Sequence, residues 1–94
     1  MTVVNEIECV VTGRVQMVMY RDFARRKARA LGITGTVRNC ADGSVCIVAQ
    51  GTRAKLEEFI TLLKRGPMLA EVREIIATWR KPTGTFQTFE ILYR

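Results

Sequence analysis

Gly13-Arg14-Val15-Gln16-Met17-Val18-Met19-Tyr20-Arg21 is the stretch on which the reading of this chain turns. Before it, Glu6-Ile7-Glu8-Cys9-Val10-Val11 alternates with the period of a half-buried strand, covering residues 6–12. After it, apolar or small residues fall at 20, 23, 24, 28 and 31, one stripe of a helix. The other faces of that helix carry Arg25, Arg26, Lys27 and Arg29. A segment that ends a strand and opens a helix aims several backbone N–H groups at one place, with the positive end of the helix dipole behind them. Such a loop suits an anion. Arg21 adds a planar fork that matches a phosphate or a carboxylate.

Working outward, Leu31-Gly32 closes the first helix with a left-handed cap residue. Thr36 to Cys40 and Ser44 to Gln50 read as two strands joined through Asp42-Gly43, a hairpin signal. Thr52 can cap a second helix, in which Leu56, Phe59, Ile60 and Leu63 stand at i, i+3, i+4 and i+7. Gly66-Pro67 ends it. Val72 to Trp79 is β-rich, Pro82-Thr83-Gly84 is a turn, and Phe86 to Tyr93 is a last strand. This order predicts an α+β fold, a ferredoxin-like βαββαβ two-layer sandwich. An antiparallel sheet would carry two helices on one face, with a short extra strand at the end.

Residues 1–94 are expected to form a single domain, burying roughly 65% of the unfolded surface in one core. The apolar share of 48% and charged share of 26% are those of a soluble globular protein. Met1 to Glu6 has no basic n-region or apolar h-region, and the run Val45 to Ala49 is too short to span a bilayer. A cytoplasmic protein is expected. The net charge of +6 has two readings, attraction of anions or a solvated surface that is simply basic.

Cys9, Cys40 and Cys46 cannot all pair within one molecule, and none has a C-x-x-C spacing. Three reduced thiols in a reducing compartment are expected, with Cys9 in the core. The chain has no histidine, so neither metal nor haem binding finds support, and no imidazole base is available. No serine or cysteine lies in a nucleophile motif.

Taken in order, Gly13-x-Val15-Gln16, Val18-x-Tyr20-Arg21 and Leu31-Gly32-x-x-Gly35-x-Val37-x-Asn39 resemble the acylphosphatase family. Asp42-Gly43-x-Val45, Gln50-Gly51, Gly66-Pro67 and Phe89-x-Ile91 extend the resemblance from about Cys9 to Tyr93. It implies hydrolysis of an acyl phosphate to carboxylate and inorganic phosphate, without cofactor or metal. It also implies that Arg21 and the loop Val15, Gln16, Met17, Val18, Met19 and Tyr20 hold the phosphoryl group, while Asn39 orients the attacking water. Arg21 and Asn39 would then be the catalytic residues, and the substrate's own phosphate oxygen would take the water proton. The expected partner is a small-molecule acyl phosphate, for a monomer with no nucleic-acid or membrane partner.

Each of these residues has a plainer reading. Arg21 could be a surface arginine, and Asn39 a turn former rather than a holder of water. Asp22 would either offset the helix dipole or orient the Arg21 guanidinium. Met17 stands where the family usually has glycine, which would permit positive φ. Methionine there means either a strained loop, as in a weak or inactive phosphate-binding relative, or a peptide of negative φ with a side chain over the site edge. An RNA-binding module of the same fold needs aromatics on its central strands. Glu6, Glu8, Val10 and the run Ser44 to Gln50 supply none.

Overall fold

Ile7, Cys9 and Val11 all face one side of the first strand, and that alternation decides what the sheet buries. The computed structural model describes residues 3–93. The elements run β1 (Asn5–Arg14), α1 (Tyr20–Ala30), β2 (Thr34–Asn39), β3 (Val45–Gly51), α2 (Arg53–Arg65), β4 (Glu71–Arg80) and β5 (Phe89–Leu92). The sheet order is β4-β1-β3-β2-β5. Its registers place Ala77, Cys9, Ile47, Val37 and Ile91 in one row across all the strands. Onto this face α1 buries Tyr20, Phe23, Ala24 and Ala28, and α2 buries Leu56, Phe59 and Leu63. These are the stripe positions of the two sequence periodicities, apart from Leu31 and Ile60, which pack only partly against the core. Thr52 caps α2 as expected, its hydroxyl accepting from the Lys55 N–H at 3.3 Å.

The fold is ferredoxin-like with both helices on one side, but the sheet is mixed rather than wholly antiparallel. β5 pairs with β2 in parallel. The cause is the crossing between β4 and β5. β4 ends at one edge of the sheet, beside the start of β1, and residues 81–88 pass under β1 and β3 to the opposite edge. A strand starting there must run in the direction of β2. Sequence alternation cannot distinguish the two senses.

Glu6 holds that crossing. It is fully buried and accepts hydrogen bonds from Gln50 Nε2 at 2.8 Å, Thr83 N at 3.0 Å and Thr83 Oγ1 at 2.9 Å, and it pairs with Arg80. Gln50 Nε2 also donates to the Gly84 carbonyl at 2.8 Å. Burial pushes the Glu6 carboxyl up, but the donors from Gln50, Thr83 and Arg80 outweigh it and hold the group at about 2. The crossing segment also explains why β5 begins at Phe89 and not at Phe86.

The expectation of three reduced thiols is not met. Cys40 and Cys46 are joined by a disulfide across the β2–β3 hairpin, with Cα atoms 6.4 Å apart. Asn39 lies opposite Val45, and Cys40 N donates to Ser44 O at 2.8 Å. The cysteines are therefore diagonal neighbours, within reach of a bridge. Their sequence spacing alone does not reveal this register. The cytoplasmic expectation loses the support it drew from free thiols. Cys9 is free and buried as expected, and burial, with the Glu8 charge, pushes its thiol up to about 12.

Candidate active site

A bulge launches the loop between β1 and α1. The β1–β4 register shifts between Thr12 and Gly13, where φ is 123° and a Cβ would run into the Glu71 carbonyl. Only glycine fits there. Past Arg14 the chain is pinned from within. Val15, Val18 and Tyr20 bury their side chains in the core. Tyr20 Oη donates to the Leu63 carbonyl at 2.7 Å, tying the first turn of α1 to the last turn of α2. Gln16 Nε2 donates to the carbonyls of Cys40 and Ser44, both at 2.8 Å, tying the loop to the β2–β3 turn. Of the residues expected to hold substrate, Val15, Gln16, Val18 and Tyr20 thus spend their side chains on the scaffold. Any ligand would meet their backbone.

That backbone has an alternating hand. Met17 has φ 61° and Met19 has φ 66°, while Gln16 and Val18 keep negative φ. Alternation of this kind turns successive N–H groups toward one side and makes a nest for an anion. Met19 is also the N-cap of α1, without a side-chain cap bond. Among the described residues, no protein group accepts a hydrogen bond from the N–H groups of residues 16–21. The unpaired donors and the positive end of α1 therefore converge on the same spot.

Arg21 stands beside them in the first turn of α1. Its guanidinium carbon lies 5.1 Å from the centre of the Tyr93 ring, and no carboxylate among the described residues pairs with it. Asp22 does not orient it. That carboxylate pairs instead with Arg26 at 2.9 Å and Arg25 at 2.7 Å, and their hydrogen bonds hold it below the usual carboxylate range.

Arg21, Met17, Met19, Ile91, Tyr93 and the Asp22–Arg25 pair line an open cleft of about 480 Å³. Asn39 is not part of that lining. It sits at the end of β2, one residue before the Cys40 carbonyl that receives Gln16. Its Oδ1 is buried and accepts no hydrogen bond among the described residues. A buried carbonyl oxygen left so is an acceptor awaiting a donor. Tyr93 and Ile91 are the site residues that sequence reading missed. They reach the loop only because β5 docks beside β2 next to α1, a contact without a local signature.

Fold and site together define a class: a ferredoxin-like sandwich whose strand-to-helix loop presents unpaired amides beside an arginine. The family model for acylphosphatase matches residues 7–91. An acylphosphatase of Dehalococcoides mccartyi (strain CBDB1) is 40% identical over 86 residues, spanning 90% of this chain and 94% of the relative. One from Salinibacter ruber is 42% identical over 87 residues, spanning 93% and 92%. The crystal structure of acylphosphatase from Bacillus subtilis superposes with a TM-score of 0.92 at 31% identity, over 95% of this chain and 99% of that one. The chain belongs to the acylphosphatase family.

Proposed function

We propose that this protein hydrolyses a small acyl phosphate in the cleft beside Arg21, giving a carboxylate and inorganic phosphate. The observation that carries the reading is the set of N–H groups of residues 16–21, without protein acceptors among the described residues and preset by positive φ at Met17 and Met19. Those amides and the Arg21 fork hold the phosphoryl oxygens and stabilise the charge that develops on them. Asn39, one residue before the Cys40 carbonyl that receives Gln16, orients the attacking water through its side-chain amide, a role the family resemblance supports. The bond from phosphorus to the acyl oxygen breaks, the carboxylate leaves with the electron pair, and a phosphate oxygen of the substrate takes the water proton.

An acyl phosphate is already activated, so positioning and electrostatics are enough for the reaction, without metal or cofactor. The protein acts as a monomer on a small molecule and not on nucleic acid. The helix-free sheet face offers Glu6, Glu8, Val10, Cys46 and Val48 along its central strands, with no ring on which a base could stack.

The test is hydrolysis of benzoyl phosphate by purified protein with a chelator present. Release of phosphate at undiminished rate in chelator is expected. Absence of turnover, or turnover that returns only with added metal, would overturn the reading.

A further inference from the structure

An acyl phosphate has two ends, and Arg21 with the loop amides accounts for one of them. The wall that faces the other end is apolar. Met17 is 97% exposed, Tyr93 79% and Met19 67%, and all three line the same cleft together with Ile91. Large apolar side chains that a fold holds in water, clustered at a concave site, mark a binding surface. Here they cluster beside Arg21, while the other arginine of the cleft, Arg25, is neutralised by Asp22 at 2.7 Å. The Arg21 guanidinium over the Tyr93 ring keeps that ring at the anion's shoulder. Methionine is unbranched and polarisable, so a pair of them adapts to apolar groups of differing shape. A cleft of about 480 Å³ has room well beyond a phosphate.

We propose, resting on the acylphosphatase reading above, that Met17, Met19 and Tyr93 form an acyl-group subsite selecting acyl phosphates with aromatic or extended aliphatic acyl chains over acetyl phosphate. The subsite sets which carboxylate leaves and has no part in the bond-breaking step. A short acyl group leaves this wall in water, and a charged one places a carboxylate against it without a partner.

The first measurement is kcat/KM of the unaltered protein for acetyl, butanoyl and hexanoyl phosphate. The reacting anhydride is the same along this series, so the trend reads the subsite. A rise of roughly tenfold or more from acetyl to hexanoyl is expected, the low end of what apolar contacts contribute to discrimination. The second uses Tyr93→Ser and the double variant Met17→Asn with Met19→Asn, asparagine being chosen because it tolerates positive φ. The ratio of kcat/KM for benzoyl phosphate to that for acetyl phosphate cancels changes at the phosphate end, which both substrates share. It is expected to fall about tenfold in each variant. A flat series in the unaltered protein, or a ratio within about twofold of the original in both variants, overturns the subsite and leaves the acylphosphatase reading standing. Absence of hydrolysis of every acyl phosphate overturns that reading, and the subsite with it.

Discussion

At Met17 the backbone sits at φ 61°, where an L side chain costs roughly 1–2 kcal/mol. The alternative of negative φ is thereby excluded, and Met19 at φ 66° carries the same cost. Methionine here holds the left-handed backbone that glycine favours, so its cost falls on stability. Met17→Gly should relieve that strain against an unfolded-state entropy cost of ~0.4–1 kcal/mol, a net gain between about 0 and 1.6 kcal/mol. Thermal unfolding should then shift upward by a few degrees, up to about 4–8 °C for a full kcal/mol. A lowered Tm would contradict the strain argument. Arg21→Ala should lower kcat/KM by ~10²–10³, the usual cost of one charge-stabilising donor. Arg21→Lys should restore little of it, because a point charge cannot replace a planar fork. Near-normal kinetics in either variant would remove Arg21 from the mechanism. Asn39→Ala should depress kcat while inhibition by inorganic phosphate stays close to that of the unaltered protein, since an oriented water matters to the transition state and not to ground-state anion binding. A parallel loss of both, with a large fall in Tm, would mark Asn39 as a turn residue only.

The β2–β3 hairpin is the element that carries Asn39, and it is fastened twice: by the Cys40–Cys46 bridge and by Gln16 reaching the carbonyls of Cys40 and Ser44. A bridge closing so short a loop contributes about 2 kcal/mol in the chain-entropy account. Reduction, or the pair Cys40→Ser with Cys46→Ser, should lower Tm accordingly and depress kcat more than phosphate affinity. The loop amides and Arg21 belong to a different element. Equal stability with and without reductant would show that the bridge adds nothing. Much of this element was legible in the sequence. Asp42-Gly43 announced the hairpin, and Gly43 does hold φ 93°. The resemblance pointed to the loop around Arg21 and to Asn39, because both depend on short-range geometry. The Cys40–Cys46 pairing, the Gln16 ties and the stacking of Tyr93 on Arg21 were not legible, because each depends on strand register or on contact between distant segments. The sense of β5 belongs with these. It follows from the path of residues 81–88 and not from its own alternation.

For the molecule as a whole, Glu6 makes stability depend on acid. Its carboxyl sits at about 2 in the folded protein against an ordinary 4.5. A depressed folded value means that the contribution is complete above the ordinary value and is lost as pH falls through the window toward 2. The difference corresponds to about 3 kcal/mol at neutral pH. Subtracting the unfolding free energies of Glu6→Gln from those of the unaltered protein isolates this carboxylate from Asp22 and Asp42. The difference should shrink between pH 4.5 and 2, and a difference independent of pH would refute the assignment. The crossing that Glu6 anchors also fixes when the cleft can exist. Its amide side is encoded by residues 13–21, yet its facing wall, Ile91 and Tyr93, is encoded last among the described residues, and Phe89 completes the core in the same strand. On a ribosome, the anion loop therefore emerges long before the strand that walls it. A chain cut short of residue 89 would keep the loop but lose the Phe89 side chain that completes the core and the wall of Ile91 and Tyr93, so truncation there should cost stability and the choice of acyl group together.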